Sequence, residues 1–200
     1  MADAKHYPNR RDVVRALLAD RGSLLVVAGL GAPAWDATDA GDHALNFPLW
    51  GGMGGATAIG LGLALAQPDR RVLVLTGDGE MLMGVGSLAT VGVQRTRNLS
   101  VVVLDNEHYG ETGMQPSHTA FGVDLSAMAK ACGFARASLI TTLDQAASLR
   151  EDIHQAQGPL FAQVKVPADK FPLVLPPRDG AHLKNRFREA LLGKAAHTQR

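Results

Sequence analysis

Val72-Leu73-Val74-Leu75-Thr76-Gly77-Asp78-Gly79 is an apolar run that stops at a carboxylate held between two glycines. Leu99-Ser100-Val101-Val102-Val103-Leu104 repeats the device and stops at Asp105-Asn106. Both runs are continuous rather than alternating, the pattern of strands covered on both faces in a parallel sheet. Between them, Glu80 to Arg95 carries Met81, Leu82, Val85, Leu88, Ala89 and Val91 and reads as one helix. Glu80 stands in its first turn, where the helix dipole favours an acid. Gly84, Gly86 and Gly92 weaken that helix in isolation and call for tight tertiary packing. The unit therefore delivers a carboxylate and a carboxamide to the ends of two neighbouring strands.

Outward from this unit the same alternation continues. Arg10 to Asp20 places Val13, Val14, Leu17 and Leu18 on one face and reads as an amphipathic helix closed by Gly22. Leu24 to Ala28 reads as a buried strand running into Gly29-Leu30-Gly31-Ala32-Pro33-Ala34, with a short helix around Trp35 to Ala40. The Gly29-x-Gly31-x-x-Ala34 spacing matches a dinucleotide fingerprint in letter. Pro33 lies inside it, however, and no second strand ending in an acid follows, so a plain strand-to-helix turn is the better reading. Such a turn can still offer backbone N–H groups to a phosphate. Gly51-Gly52-Met53-Gly54-Gly55 leads into a helix of small residues, Ala56 to Ala66, and Gln67-Pro68-Asp69-Arg70 is a surface turn.

Downstream, Glu107 to Gly122 has no periodicity and reads as a long polar loop at the carboxyl end of a strand, where open α/β sheets bind ligands. Asp124 to Cys132 and Leu143 to Gln157 read as helices, Phe134 to Ile140 contains a strand, and Pro159 to Val166 is the last strand. Pro172, Pro176 and Pro177 mark an extended arm before a basic helix, Leu183 to Leu192. Strands alternating with helices predict a doubly wound α/β fold with a mainly parallel sheet, one domain over 1–200 with 168–200 as an arm and helix.

Composition narrows the function classes. With 46% hydrophobic residues over 200 positions the chain can bury one sizeable core. A formal net charge of +1, with no basic stripe through the middle, argues against duplex nucleic acid. The apolar runs are too short to span a bilayer, and the charges in Met1 to Tyr7 do not suit a signal peptide, so the cytoplasm is expected. Cys132, the one cysteine, leaves no intramolecular disulfide and no multi-thiolate metal site.

At the strand ends, Asp78 offers a hard anionic oxygen and Asn106 a neutral one, while Gly77 and Gly79 leave room for phosphate oxygens. A Mg²⁺–diphosphate group needs few protein ligands beyond these. Gly77-Asp78-Gly79, then 26 residues, then Asn106 resembles the thiamine diphosphate motif, and Gly51-Gly52-Met53-Gly54 stands 25 residues before Asp78, where that superfamily keeps an apolar residue that bends the cofactor. The similarity runs from about Gly29 to Val166. Within the superfamily, Gly86-Ser87-Leu88-Ala89-Thr90 and Tyr109-Gly110-Glu111-Thr112-Gly113-Met114-Gln115-Pro116 resemble the short subunit of sulfopyruvate decarboxylase and phosphonopyruvate decarboxylase. The family often has Gly-Gly-Gln where this chain has Gly113-Met114-Gln115, so Met114 is a departure.

The resemblance implies the diphosphate-binding domain of the thiamine diphosphate-binding fold. It implies Mg²⁺ held by Asp78, Asn106 and the backbone oxygen of His108. It further implies diphosphate contacts at Gly77, Gly79, Glu80, Tyr109 and Gly110, with Gly29, Gly31 and Gly52 at the cofactor's margin. Met53 would wedge between the cofactor rings and the Gly51 carbonyl would accept from its exocyclic nitrogen. The activating glutamate belongs to a separate pyrimidine-binding domain, which implies a partner subunit, an oligomer, and a small 2-oxo acid as substrate. Alternatives stay open: a carboligase of acetolactate synthase type, or a non-catalytic thiamine diphosphate-binding module. A ferredoxin-linked oxidoreductase subunit is disfavoured, since one cysteine cannot ligate an iron–sulfur cluster. Read plainly, Glu80 is a helix-terminal charge, His108 and His118 are solvated loop residues, and Lys184, Arg186 and Arg188 form a solvated face or a subunit contact.

Overall fold

The computed structural model describes residues 7–155 and 157–198. In chain order the strands are β1 (Leu25–Ala28), β2 (Asn46–Pro48), β3 (Val72–Gly77), β4 (Leu99–Asp105), the short β5 (His108–Tyr109) and β6 (Gln115–Pro116), then β7 (Arg136–Ile140) and β8 (Leu160–Lys165). The helices are α1 (Arg10–Leu18), α2 (Ala32–Asp39), α3 (Ala56–Ala66), α4 (Asp78–Met83), α5 (Gly86–Gln94), α6 (Leu125–Ala131), α7 (Leu143–Gln155) and α8 (Gly180–Leu192). Six strands form one sheet in the order β2-β1-β3-β4-β8-β7, and every neighbouring pair is parallel. This is a doubly wound α/β fold.

Side-chain alternation along the central strands sorts the core into two layers. Leu73 and Leu75 of β3 with Val102 and Leu104 of β4 pack against Val13 and Leu17 of α1 and Leu149 and Ile153 of α7. Val72, Val74, Val101 and Val103 face the other way, onto Leu61 of α3, Val91 of α5, Leu125 of α6 and Phe187 of α8. Each such buried side chain contributes about 1.5–3 kcal/mol, which is why both runs are apolar throughout. From β1 the chain moves to β2 on one side, while β3 lies on the other. The crevice outside the carboxyl ends of β1 and β3 is therefore a topological switch point.

Several boundaries differ from the sequence expectations. The segment 80–95 is not one helix: it breaks at Gly84 into α4 and α5. Position 84 admits only glycine, because a Cβ there would stand 2.0 Å from the Gly54 carbonyl oxygen. Asn46–Pro48 is an edge strand paired with β1, too short and too proline-limited to announce itself. The loop 107–122 contains the antiparallel hairpin β5–β6 and a 3₁₀ turn, His118–Phe121. The last helix starts at Gly180, where Asp179 caps the Ala181 and His182 amides. α7 ends at Gln155 and the expected end, Gln157, is not helical; Ala156 between them and the reading of Met1 to His6 fall outside the described residues. Among the described residues no helix is long and apolar enough to cross a membrane. Arg186 meets Asp42 through two nitrogens at 2.6 and 3.0 Å, so at least this basic residue of α8 is engaged within the chain.

Candidate active site

A cleft of about 450 Å³ opens at the carboxyl ends of β1, β3 and β4. Nine of the thirteen residues expected at a cofactor line it: Met53, Gly77, Asp78, Gly79, Glu80, Asn106, His108, Tyr109 and Gly110. β3 ends at Gly77 and α4 starts at once, so Asp78 is carried inward and is 2% exposed. Its Oδ2 accepts from Ser117 Oγ and lies 3.3 Å from Thr119 Oγ1, whose one hydrogen is directed to the nearer Asp105. Burial, reinforced by the nearby Asp105 charge and only partly offset by the Ser117 bond, pushes the Asp78 carboxyl up to about 6. Asn106 forms an Asx turn, its Oδ1 accepting from the His108 amide at 3.0 Å, while the His108 ring Nδ1 lies 2.8 Å from the Asn106 carbonyl oxygen.

Met53 faces this turn from the β2–α3 loop and is 38% exposed. Its position relative to Asp78 is fixed by backbone contact: Gly54 beside it packs on Gly84 at the end of α4. Gly51 and Gly52 lie on the same loop but do not line the cleft. Gly31 lines a smaller hollow of about 210 Å³ beside it, with Trp35, Trp50 and Glu111. His118 stands exposed at the start of the 3₁₀ turn.

Glu80 is placed differently from a helix-terminal charge in solvent. It is 4% exposed, and its Oε2 accepts from the Leu30 amide at 3.1 Å and from Thr76 Oγ1 at 2.9 Å. Burial raises its carboxyl despite these bonds. The carboxylate occupies the space a side chain at Gly29 would need, since a Cβ there would lie 1.8 Å from Oε2. Gly29 thus accommodates Glu80, and the pair ties the β1 turn to the β3 turn.

A third buried carboxylate, Asp105, escaped the sequence reading as a site residue. Its Oδ1 accepts from Thr119 Oγ1 at 2.7 Å and from the Glu107 amide at 3.0 Å. Its Oδ2 accepts from Gln163 Nε2 at 2.6 Å and pairs with Lys165 Nζ at 2.8 Å. Burial alone would lower the Lys165 ammonium, yet Asp105 and Glu107 outweigh it and raise it. Ser117, Thr119, Gln163 and Lys165 lie far from Asp78 in sequence, and no local pattern marks them.

The arm after β8 forms the far wall through Ala168 to Phe171 and Leu173. Phe171 is stacked by the guanidinium groups of Arg10 and Arg11, 4.9 and 5.1 Å from its ring centre. Arg10 also pairs with the buried Asp36, and Trp50 Nε1 donates to the Pro177 carbonyl at 2.8 Å. Met114, in the near wall, adopts φ +63, the left-handed region.

The donor set fits a metal–diphosphate group. Gly77 borders the cleft, and a Cβ built there would meet nothing within 4 Å, so open space lies beside the strand end. No group of three or more His, Cys, Asp or Glu gathers for a metal among the described residues. Asp78, the Asn106 carboxamide and a main-chain oxygen make instead the sparse, hard-oxygen set that Mg²⁺ accepts.

Comparison with known proteins gives this geometry its family. Residues 30–166 match the thiamine pyrophosphate enzyme, C-terminal TPP binding domain. The chain is 37% identical over 169 residues to sulfopyruvate decarboxylase subunit beta of Methanothermobacter thermautotrophicus, covering 84% of this chain and 88% of that one. It is 35% identical over 183 residues to phosphonopyruvate decarboxylase of Streptomyces viridochromogenes, covering 90% of this chain but 46% of that longer protein. Benzoylformate decarboxylase from Polynucleobacter necessarius superposes with a TM-score of 0.68 at 22% identity, over 82% of this chain and 34% of that one, and so attests the fold. The chain therefore belongs to the thiamine pyrophosphate enzyme family, as its C-terminal TPP-binding domain, on the carboxy-lyase side of that family.

Proposed function

We propose that this chain is the diphosphate-binding subunit of a thiamine diphosphate-dependent 2-oxo acid decarboxylase of the sulfopyruvate or phosphonopyruvate kind, active with a partner subunit that supplies the pyrimidine half of the site. The observation that carries the reading is one cleft with Asp78 and Asn106 at adjacent strand ends and Met53 held across from them. Two further facts support it. The chain spans nearly all of a relative named subunit beta and about half of a longer relative. Met53 and Ile59 stay half exposed, and Met83 is 68% exposed, around the Gly54–Gly55 turn at the cleft's edge, an apolar rim suited to a second subunit.

In this reading Asp78, Asn106 and the main-chain oxygen of His108 hold Mg²⁺. Gly79, Glu80, Tyr109 and Gly110 border the diphosphate, with Gly79 lying under the Tyr109 ring. Met53 would stand against the cofactor's rings from the β2–α3 loop, and the Gly51 carbonyl, outside the cleft on the same loop, would face the pyrimidine half. Thiamine diphosphate, when bound, supplies the electron sink for loss of CO₂ from a 2-oxo acid. The arm and the β5–β6 hairpin wall the cleft and limit water around the substrate. A glutamate supplied by the partner would activate the cofactor at its pyrimidine nitrogen.

The test is CO₂ release from sulfopyruvate, phosphonopyruvate and pyruvate, with Mg²⁺ and thiamine diphosphate, for the chain alone and with its co-purifying partner. Turnover is expected only in the complex and only with Asp78 intact. Substantial turnover by the chain alone would remove the partner from the proposal. Carboligated product from pyruvate plus an aldehyde, without net aldehyde release, would replace decarboxylase by carboligase.

A further inference from the structure

Asp78 and Asp105 are both buried, at the ends of adjacent strands, and are bridged by two hydroxyls of one short segment. Ser117 Oγ donates to Asp78 Oδ2 and Thr119 Oγ1 donates to Asp105 Oδ1 at 2.7 Å; with both hydrogens so used, the two hydroxyls, 2.9 Å apart, are linked through their shared backbone segment. Ser117 and Thr119 are themselves 1% and 4% exposed. The two carboxylates are occupied unequally. Asp105 receives donors on both oxygens, from Thr119 and the Glu107 amide on one and from Gln163 and Lys165 on the other. Four contacts saturate a carboxylate, so Asp105 has no lone pair left for a ligand. At Asp78 the side-chain donor, Ser117, falls on Oδ2, and Thr119 Oγ1 approaches the same oxygen at 3.3 Å.

We propose that Ser117 and Thr119 are positioning residues for the metal ligand: they fasten Asp78 Oδ2 to the saturated Asp105 anchor and leave Oδ1 as the oxygen that meets the cation. The inference rests on the reading of Asp78 as a metal ligand. It also assigns a task to the segment after the β5–β6 hairpin. The Ser117 amide donates to the Glu107 carbonyl at 2.7 Å, closing the stretch that carries His108, Tyr109 and Gly110. Seating the two hydroxyls thus seats the near wall of the cleft. Partners of this kind around a metal ligand typically matter by about 10- to 100-fold in metal affinity.

The experiment titrates Mg²⁺ into the full chain at fixed thiamine diphosphate, by calorimetry and by tryptophan fluorescence. It compares wild type, Ser117→Ala, Thr119→Val, Thr119→Ser and Asp78→Asn, and follows amide hydrogen exchange over 107–117. Ser117→Ala and Thr119→Val are expected to weaken Mg²⁺ binding about 10- to 100-fold and to speed exchange in the hairpin, and Thr119→Ser to restore both. If Thr119→Val does not fold, Ser117→Ala, which removes a single atom, decides alone. Mg²⁺ affinity within twofold of wild type in folded hydroxyl-less variants, with binding lost in Asp78→Asn, would overturn the inference and leave the metal site standing. Wild-type binding in Asp78→Asn would instead overturn the metal-ligand reading, and this inference with it.

Discussion

Replacing Asp78 by asparagine should make the metal-free chain more stable at neutral pH while removing its response to the cofactor. The Asp78 carboxyl is raised from 3.8 to about 6, chiefly by burial. Between those values the folded chain holds a proton that the unfolded chain has released. Stability therefore falls as pH rises through the window, and is fully restored only below the unfolded value. At about 1.36 kcal/mol for each tenfold change, the ionised side chain costs the fold on the order of 3 kcal/mol above pH 6. Asparagine has the shape of the protonated acid and no charge to bury. Urea unfolding followed by tryptophan fluorescence at pH 4.5, 6 and 7.5 measures both chains. Wild type should lose about 2 kcal/mol across this range relative to Asp78→Asn, because pH 4.5 already lies above the unfolded value. Adding Mg²⁺ and thiamine diphosphate at a hundredfold their dissociation constant should return about 2.7 kcal/mol to wild type and nothing to the variant. Parallel pH profiles for the two chains, or an asparagine variant less stable than wild type at pH 7.5, would refute the argument.

The other predictions concern the cleft's frame. Gly84→Ala forces a Cβ onto the Gly54 carbonyl; it should cost about 1–3 kcal/mol by chemical denaturation and lower cofactor affinity through the Met53 loop. Met53→Ala should change stability by less than about 1 kcal/mol, because the side chain is part exposed, yet cut turnover of the complex severely in a steady-state CO₂ assay. Lys165→Met strands the buried Asp105 charge and should destabilise by about 3–5 kcal/mol, with Asp105→Asn recovering most of it in the double variant's melting curve. Met114→Gly, at φ +63, should relieve about 1 kcal/mol of backbone strain, read as a raised urea midpoint.

Much of this architecture is legible in the chain because strands buried on both faces leave an unbroken apolar signature. Val72 to Thr76 and Leu99 to Leu104 carry that signature, and their ends bring Asp78 and Asn106 with them. What stays hidden depends on partners distant in sequence. Glu80 has the look of a dipole-favoured acid, and only the Leu30 amide, fifty residues earlier, reveals it as a buried tie. Gly84 weakens a helix on paper and stands at the end of one here, where Gly54 leaves no space for a side chain. The β2 strand is three residues long, at an edge, and carries a proline, so periodicity cannot register it. Ser117 and Thr119 are ordinary loop hydroxyls until folding brings two carboxylates to them.

The contact between Gly54 and Gly84 also bears on how this scaffold can change. Two backbones in direct contact, with no side chain between them, act as a gauge block: the spacing from the Asp78 turn to Met53 cannot be retuned by swapping rotamers. The walls are different. The hairpin brings Tyr109 and Met114 to the cleft, and the arm brings Lys170 and Phe171. Those walls can therefore be rewritten one residue at a time, while the distance from the Asp78 turn to the Met53 loop stays as the backbone made it.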